Sequence, residues 1–181
     1  SLNAGSLWGR PFYILREAWN ILNAIAEGKI ESGDEKKLNA LKGETMAVIA
    51  LCQFDLTRCF GYPYTKDKGA SLGAPLIDHL VGTYENPPRS TVAQAYDFII
   101  ETLEEAVTLM SEEKNNGRMN KYAARALLAR IDLYHDDNRK AFDLADQLIK
   151  DADTSGSYAL YPHEKYVAAW SVEAKFGSES F

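Results

Sequence analysis

Gly43-Glu44-Thr45-Met46-Ala47-Val48-Ile49-Ala50-Leu51-Cys52-Gln53-Phe54-Asp55-Leu56-Thr57-Arg58-Cys59-Phe60-Gly61 is the stretch whose reading decides the fold. From Thr45 to Phe60 few positions are polar, and the apolar ones recur at helical spacing. Val48 and Cys52 share a stripe with Leu38 and Leu41, and Ile49, Leu56 and Phe60 widen it. Gly43, Ala47, Ala50 and Phe54 form a row of small residues ending in an aromatic; such a row lets a second helix approach closely. A helix apolar over so much of its circumference is a central one. It is predicted to start after Ser32-Gly33-Asp34-Glu35, read as a capping box, and to run to about Phe60.

Working outward, the segment before it predicts a helix from about Pro11 to Glu27. One stripe is Trp8, Phe12, Leu15, Trp19, Leu22 and Ala26; a second is Ile14, Ala18, Ile21 and Ile25. Two adjacent stripes imply more than one neighbour. Pro11 fits a first turn, and Gly28 a left-handed C-cap. After the central helix, 61–90 reads as one long irregular loop carrying Tyr62, Tyr64 and Tyr84. Two readings of it stay open, an irregular cover packed across the helices or a ligand-facing surface.

A third helix starts at Thr91, with Gln94 completing a capping box and Val92, Tyr96, Ile99, Leu103, Ala106 and Met110 inward. A fourth is expected from about Lys121 to His135, and a fifth from about Arg139 to Asp151 with Asn138 as N-cap. Tyr158-Ala159-Leu160-Tyr161 reads as a short extended piece, and His163 to Trp170 as a weak last helix. Helices joined by short turns pack as antiparallel hairpins. The fourth and fifth have the size of one tetratricopeptide unit, with Leu128, Ala129 and Ala141 suitably spaced. The expected fold is all-α, with antiparallel hairpins of tetratricopeptide type, one long irregular loop, and a single domain over 1–181.

Bulk composition narrows the function classes. The chain has 181 residues, 46% of them hydrophobic, and a net charge of −6. A nucleic-acid binder needs a basic face, so no nucleic-acid partner is expected. No apolar run is long enough to span a bilayer. Neither a signal peptide nor a lipobox is visible, and both ends read as cut from something longer. Cys52 and Cys59 lie seven residues apart on one helix. That separation is about 10 Å, beyond the ~7 Å a disulfide tolerates, so both read as buried thiols.

Catalytic and metal motifs are not apparent. His79, His135 and His163 have no histidine four residues on. His135-Asp136-Asp137 could ligate a metal, but reads better as a helix end entering a polar turn. The glycines at 69 and 73 lack the Lys-Ser/Thr of a phosphate loop. Glu101, Glu104 and Glu105 sit on a solvated face, and Glu44 reads as a structural buried carboxylate. No cofactor, metal or catalytic residue is expected, and the chain is read as not an enzyme.

The central stretch resembles the signature helix of the SusD/RagB family: Gly43-Glu44, Phe54-Asp55-Leu56, then Arg58, Phe60 and Gly61. Pro75-Leu76 in the proline-rich loop fits as well, as does Arg89-Ser90-Thr91-Val92 leading into Tyr96-Asp97-Phe98-Ile99. The strongest later block is Gly117-Arg118, Lys121, Ala123-Ala124 and Ala126-Leu127-Leu128-Ala129-Arg130, continued by Ala141, Ala145 and Ile149. Glu179-Ser180-Phe181 resembles the start of a further family segment. Two departures stand out. The family's arginine in the central helix falls at Ile49, so Glu44 must find its partner elsewhere. The chain is also shorter than the family's members.

The resemblance implies a surface-exposed lipoprotein of the outer membrane in Bacteroidetes-type bacteria. Such a protein binds an oligosaccharide or other nutrient and partners a SusC-type TonB-dependent transporter. Sugar binding uses aromatic faces plus a few polar groups, which makes Trp8, Tyr13, Tyr62 and Tyr64 the candidate ligand-binding residues. Two other classes compete. A cytosolic tetratricopeptide adaptor would need matching groove positions across several helical pairs. An all-helical glycoside hydrolase would need two carboxylates facing one cleft about 5 to 9.5 Å apart.

Overall fold

A helix apolar on opposite sides has to be enclosed on opposite sides, and the central helix is. The structure, a computed structural model, describes residues 4–30, 33–114 and 117–167. Its helices are α1 (Ala4–Ala26), α2 (Glu35–Phe60), α3 (Val92–Leu109), α4 (Lys121–Tyr134) and α5 (Asn138–Ser155). On one side of α2, Met46, Ala47, Ala50 and Phe54 pack with Ile99 and Leu103 of α3 and Leu128 and Ile131 of α4. On the other, Ile49, Cys52 and Leu56 pack with Leu15 and Ala18 of α1 and with Ala74 and Ile77 of the long connection. The architecture is thus the expected all-α one, with each helix packed on the next in chain order.

The small-residue row does what its size allows. A Cβ on Gly43 would lie 2.8 Å from the Ala106 carbonyl oxygen and 2.7 Å from Met110 Cγ, so α2 and α3 touch almost backbone to backbone there. Helix ends follow their capping chemistry, with two shifts from the expected residues. Asp34 rather than Ser32 caps α2, accepting from the backbone N–H of Lys36 at 3.0 Å and Lys37 at 3.3 Å; Ser32 itself lies outside the described residues. Asp137 rather than Asn138 caps α5, accepting from Lys140 N–H at 3.0 Å. The Thr91–Gln94 capping box on α3 forms as read. Gly28, at φ 68°, ends α1: its own N–H bonds to Ile25 O and that of Lys29 to Ala24 O, the paired closure a left-handed glycine permits.

Three other expectations change. α1 starts seven residues before Pro11, which is therefore interior and leaves the Leu7 carbonyl without its helical N–H. An interior proline costs about 3 kcal/mol, opposed here by Trp8 and Phe12 packing edge-on with each other and by Trp8 seating on Phe60. The connection after α2 is less irregular than expected. It holds a 3-10 turn at Tyr64–Lys66 and a two-stranded antiparallel ribbon, β1 (Leu72–Pro75) with β2 (Arg89–Thr91). Cys52 is buried, its thiol pushed up to about 11 by desolvation, but Cys59 is exposed on the outer side of α2 near its end. Both are free thiols.

The C-terminal expectations are met in part. Tyr158 is buried against Tyr122 and bonded to Asn120 Nδ2 at 2.6 Å, without regular strand pairing. His163–Lys165 is a single 3-10 turn; 168–170 and Glu179-Ser180-Phe181 lie outside the described residues.

One buried carboxylate ties three helices together. Asp132 of α4 is 1% exposed; Lys140 of α5 reaches it at 3.5 Å and also Glu104 of α3 at 2.8 Å. Burial pushes the Asp132 carboxyl above its ordinary range, and Lys140 pulls it back down.

Two tests follow from this packing. Gly43→Ala is expected to lower the thermal midpoint, because overpacking costs about 1–3 kcal/mol and outweighs the ~1 kcal/mol helix-propensity gain of alanine. An unchanged midpoint would mean that α2 and α3 are not in close contact there. Lys140→Ala is expected to cost about 1–2 kcal/mol near pH 7, less than breaking a fully buried pair because Lys140 is partly exposed. A raised native carboxyl contributes stability at low pH that is lost as pH rises through its native value. Removing Lys140 raises that value further, so the loss in urea melts should shrink as the pH falls and the Asp132 carboxyl takes up its proton.

Candidate functional site

The four candidate aromatics do not form one platform. Trp8 is 39% exposed and packs edge-on against Phe60, ring centroids 4.7 Å apart. Tyr13 is 61% exposed with the Arg16 guanidinium 5.2 Å over its ring. Five residues separate Trp8 from Tyr13, which places them about 140° apart around α1. Tyr62 is 57% exposed, with Lys66 Nζ 3.0 Å above one ring face. It follows Phe60 by two residues, so its Cα is within about 7 Å of the Phe60 Cα that carries the Trp8 contact. Trp8 therefore sits where the start of α1 meets the end of α2, and the Tyr62 backbone lies near that corner.

Tyr64 is committed elsewhere. Its ring lies 4.3 Å from His135 and 5.7 Å from Tyr96, and His135 stacks on Tyr96 at 5.3 Å with planes 30° apart. That nest continues through Phe54 to Tyr134, whose ring has the Arg58 and Arg130 guanidiniums 5.8 and 5.9 Å from its centroid. The two guanidiniums hold the Tyr134 phenol below its ordinary pKa. Arg58 pairs with Asp55 at 2.9 Å. Sequence reasoning did not assemble this cluster, because its members come from α2, the connection, α3 and α4. The partial signal was Arg58 and Arg130, each one turn from an aromatic on its own helix.

His135-Asp136-Asp137 is the helix end and polar turn that its pattern favoured. The imidazole is packed against two tyrosines, Asp136 has a positive φ of 70°, and Asp137 caps α5. His79 is held by Asp78 at 2.6 Å and Glu85 at 2.7 Å, which raises its pKa and pins the tip of the long connection. Among the described residues no group of three or more His, Cys, Asp or Glu is placed to hold a metal.

Glu44 finds its partner 74 residues on. Arg118 Nε donates to Oε2 at 2.9 Å, Nη2 bonds the same oxygen, and Met119 N–H donates to Oε1 at 3.1 Å. The pair floors a pocket of about 610 Å³ between the start of α2 and the turn after α3, bordered by Lys36, Leu41, Met110 and Asn120. None of its described lining residues is aromatic, so it has no stacking face for a sugar ring.

The connection after α2 is fastened at three points. Buried Gln53 donates from Nε2 to Pro75 O at 3.1 Å and accepts the Ile77 N–H at 3.3 Å. Trp19 Nε1 donates to Ile77 O at 3.1 Å. Arg89 closes the ribbon onto the Gly73 and Leu72 carbonyls at 2.7 and 2.9 Å. Between Ala74 and Ile77 the connection is thus a cover over α1 and α2. Tyr62 and Tyr84, the latter 96% exposed, stand outside that cover.

Comparison with known proteins agrees with this architecture. A SusD-like family model, described as "Starch-binding associating with outer membrane", matches residues 3–133. Among solved structures, the chain is similar to a SusD superfamily protein from Bacteroides vulgatus, at 99% identity and a TM-score of 0.96, over 100% of this chain and 41% of that one. A SusD superfamily protein from Bacteroides thetaiotaomicron is similar at 39% identity and a TM-score of 0.85, over 90% of this chain and 35% of that one. A surface glycan-binding protein from Bacteroides uniformis shares the fold at 18% identity and a TM-score of 0.80, over 98% and 37%. No curated protein matches the chain. It spans about two fifths of the first relative's length. With a family model matched over most of its length and a near-identical relative spanning all of it, the chain belongs to the SusD-like family.

Proposed function

We propose that this chain is the helical part of a nutrient-binding accessory protein at the bacterial outer membrane. The full protein is a surface-exposed lipoprotein that captures an oligosaccharide and passes it to a SusC-type TonB-dependent transporter. The observation that carries the reading is the match to a family described as starch-binding and associated with the outer membrane. No helix among the described residues is long and apolar enough to cross a membrane, which is compatible with attachment by a lipid.

The reading assigns no catalysis to this chain. The two carboxylates most withdrawn from water are each matched by a cation, Glu44 by Arg118 and Asp132 by Lys140. Asp132, whose carboxyl burial raises, is only 1% exposed and so is closed off from the kind of cleft that glycoside hydrolysis demands. Ligand binding falls to the corner of Trp8 and Tyr62, where an open aromatic face can stack on a sugar ring while Lys66 and backbone groups meet hydroxyls. Tyr13 is a separate exposed ring. Tyr64, half-buried, serves the nest it packs in with Tyr96 and His135.

A glycan panel on the full-length protein tests the reading. Tyr62→Ala and Trp8→Ala are each expected to weaken binding of the retained glycan about tenfold, the worth of one aromatic contact. Tyr13→Ala should leave affinity within about twofold. Unchanged binding in both corner variants would remove the corner from the site, and no retained glycan at all would remove the substrate class.

A further inference from the structure

The tip of the connection after α2 is tied to the core through one imidazole. Ile77 is fixed by Gln53 and Trp19, and Val81 packs against the core that α1 and α2 share. Between them stands the exposed His79, with a carboxylate at each ring nitrogen: Asp78 Oδ1 at 2.6 Å from Nδ1 and Glu85 Oε1 at 2.7 Å from Nε2. Glu85 is used twice more. Its Oε2 accepts the Gly82 N–H at 3.0 Å, and its own N–H donates to Gly82 O at 3.1 Å, which closes a turn. Tyr84 sits inside that turn and is 96% exposed. One line of contacts therefore runs from the buried Gln53 amide through Ile77, His79 and Glu85 to an aromatic ring standing in water.

This arrangement constrains the protonation of the ring. A neutral imidazole has one N–H and one lone pair. Whichever nitrogen carried the lone pair would face a carboxylate oxygen at hydrogen-bond distance, acceptor against acceptor. The imidazolium alone donates to both. The charged groups facing the ring are Asp78 and Glu85, both from the connection itself. Loss of the proton therefore removes a bond and leaves two carboxylates with no cation between them.

We propose that Asp78, His79 and Glu85 form a proton-operated clasp: with the ring protonated, the turn from Gly82 to Glu85 is held to His79 and Tyr84 keeps one position; with the ring neutral, that hold loosens and the turn opens. The bond to Glu85 is the one that restrains, because Asp78 is the chain neighbour of His79 and closes no loop. Asp78 and then Glu85 raise the His79 pKa above its ordinary value, while the Gly82 N–H and then His79 lower that of Glu85. The two shifts widen the pH range in which both partners are charged. A raised native value means that the hold is present below it and is lost as pH rises through it. The clasp does not rest on the glycan reading.

A histidine titration and amide exchange on the full-length protein test it. Ring signals of histidine-labelled protein are followed against pH, His79 being the signal that His79→Gln removes. Protection of the Gly82 amide is measured over the same range, as its exchange rate against the intrinsic rate at each pH. The expected result is a His79 titration above the ordinary histidine value, with Gly82 protection falling about three- to tenfold through it, the worth of one hydrogen bond. Asp78→Asn keeps the bond to Glu85 and should move both steps together to lower pH. His79→Gln should give low protection with no step. Titration of His79 at or below the ordinary value would overturn the proposal. So would Gly82 protection that stays level through the titration, or the same step in His79→Gln, which would assign it to another group.

Discussion

α2 is enclosed on opposite sides, and every polar group it buries has to be answered from within the protein. A buried polar atom left without a partner costs about 1–3 kcal/mol, so each one constrains the chain that answers it. Thr45 and Thr57 answer locally, donating to the carbonyls of Leu41 and Gln53 one turn back. Gln53 cannot, nor can Glu44, which is half-buried at 20% side-chain exposure rather than the fully buried carboxylate expected. Gln53 is fully buried and offers both faces of its amide, which are matched by the Pro75 carbonyl and the Ile77 N–H. Glu44 is matched by Arg118 and the Met119 N–H. Two side chains on one helix thus locate the long connection and the turn into α4.

Those two placements set what the surface can offer. With Pro75 to Ile77 fastened down, the connection lies flat over α1 and α2, and Ala74 and Ile77 complete a core that neither helix closes alone. Its two ends are treated differently. Tyr64 is drawn into the nest with Tyr96 and His135, while Tyr62 stays outside beside the Trp8–Phe60 contact. A stretch of two residues therefore separates a structural tyrosine from an available one. Stiff backing from α1 and α2 also means that a ring at this corner loses little freedom when something stacks on it.

Much of the helical plan was legible because it rests on local chemistry. The α3 capping box, the left-handed Gly28 and the inward row of α3 are short-range patterns, and they stand where the periodicity put them. The small-residue row at Gly43 foretold a close approach, though not that α3 would supply it. What escaped reading depends on distant partners. Pro11 looked like a helix start because the stabilising contact of Trp8 with Phe60 joins residues far apart in sequence. The ribbon was hidden because β1 and β2 are short and one of them contains a proline. The Glu44–Arg118 pair spans 74 positions, and the need for it was visible only as a missing partner. The candidate site was the least legible part. Tyr13, Tyr62 and Tyr64 are alike as residue types, and only packing tells an open ring from a closed one.

The central claim is that α2's buried polar groups hold the long connection in place, and amide hydrogen exchange in the native full-length protein tests it most directly. The Ile77 N–H bonds a fully buried side-chain oxygen, so it should exchange on the slow timescale of the α2 amides rather than that of a surface loop. The amide of exposed Tyr84 in the same connection should exchange far faster. If Ile77 exchanges at the rate of Tyr84, the connection is not fastened by Gln53 and the account built on α2 fails.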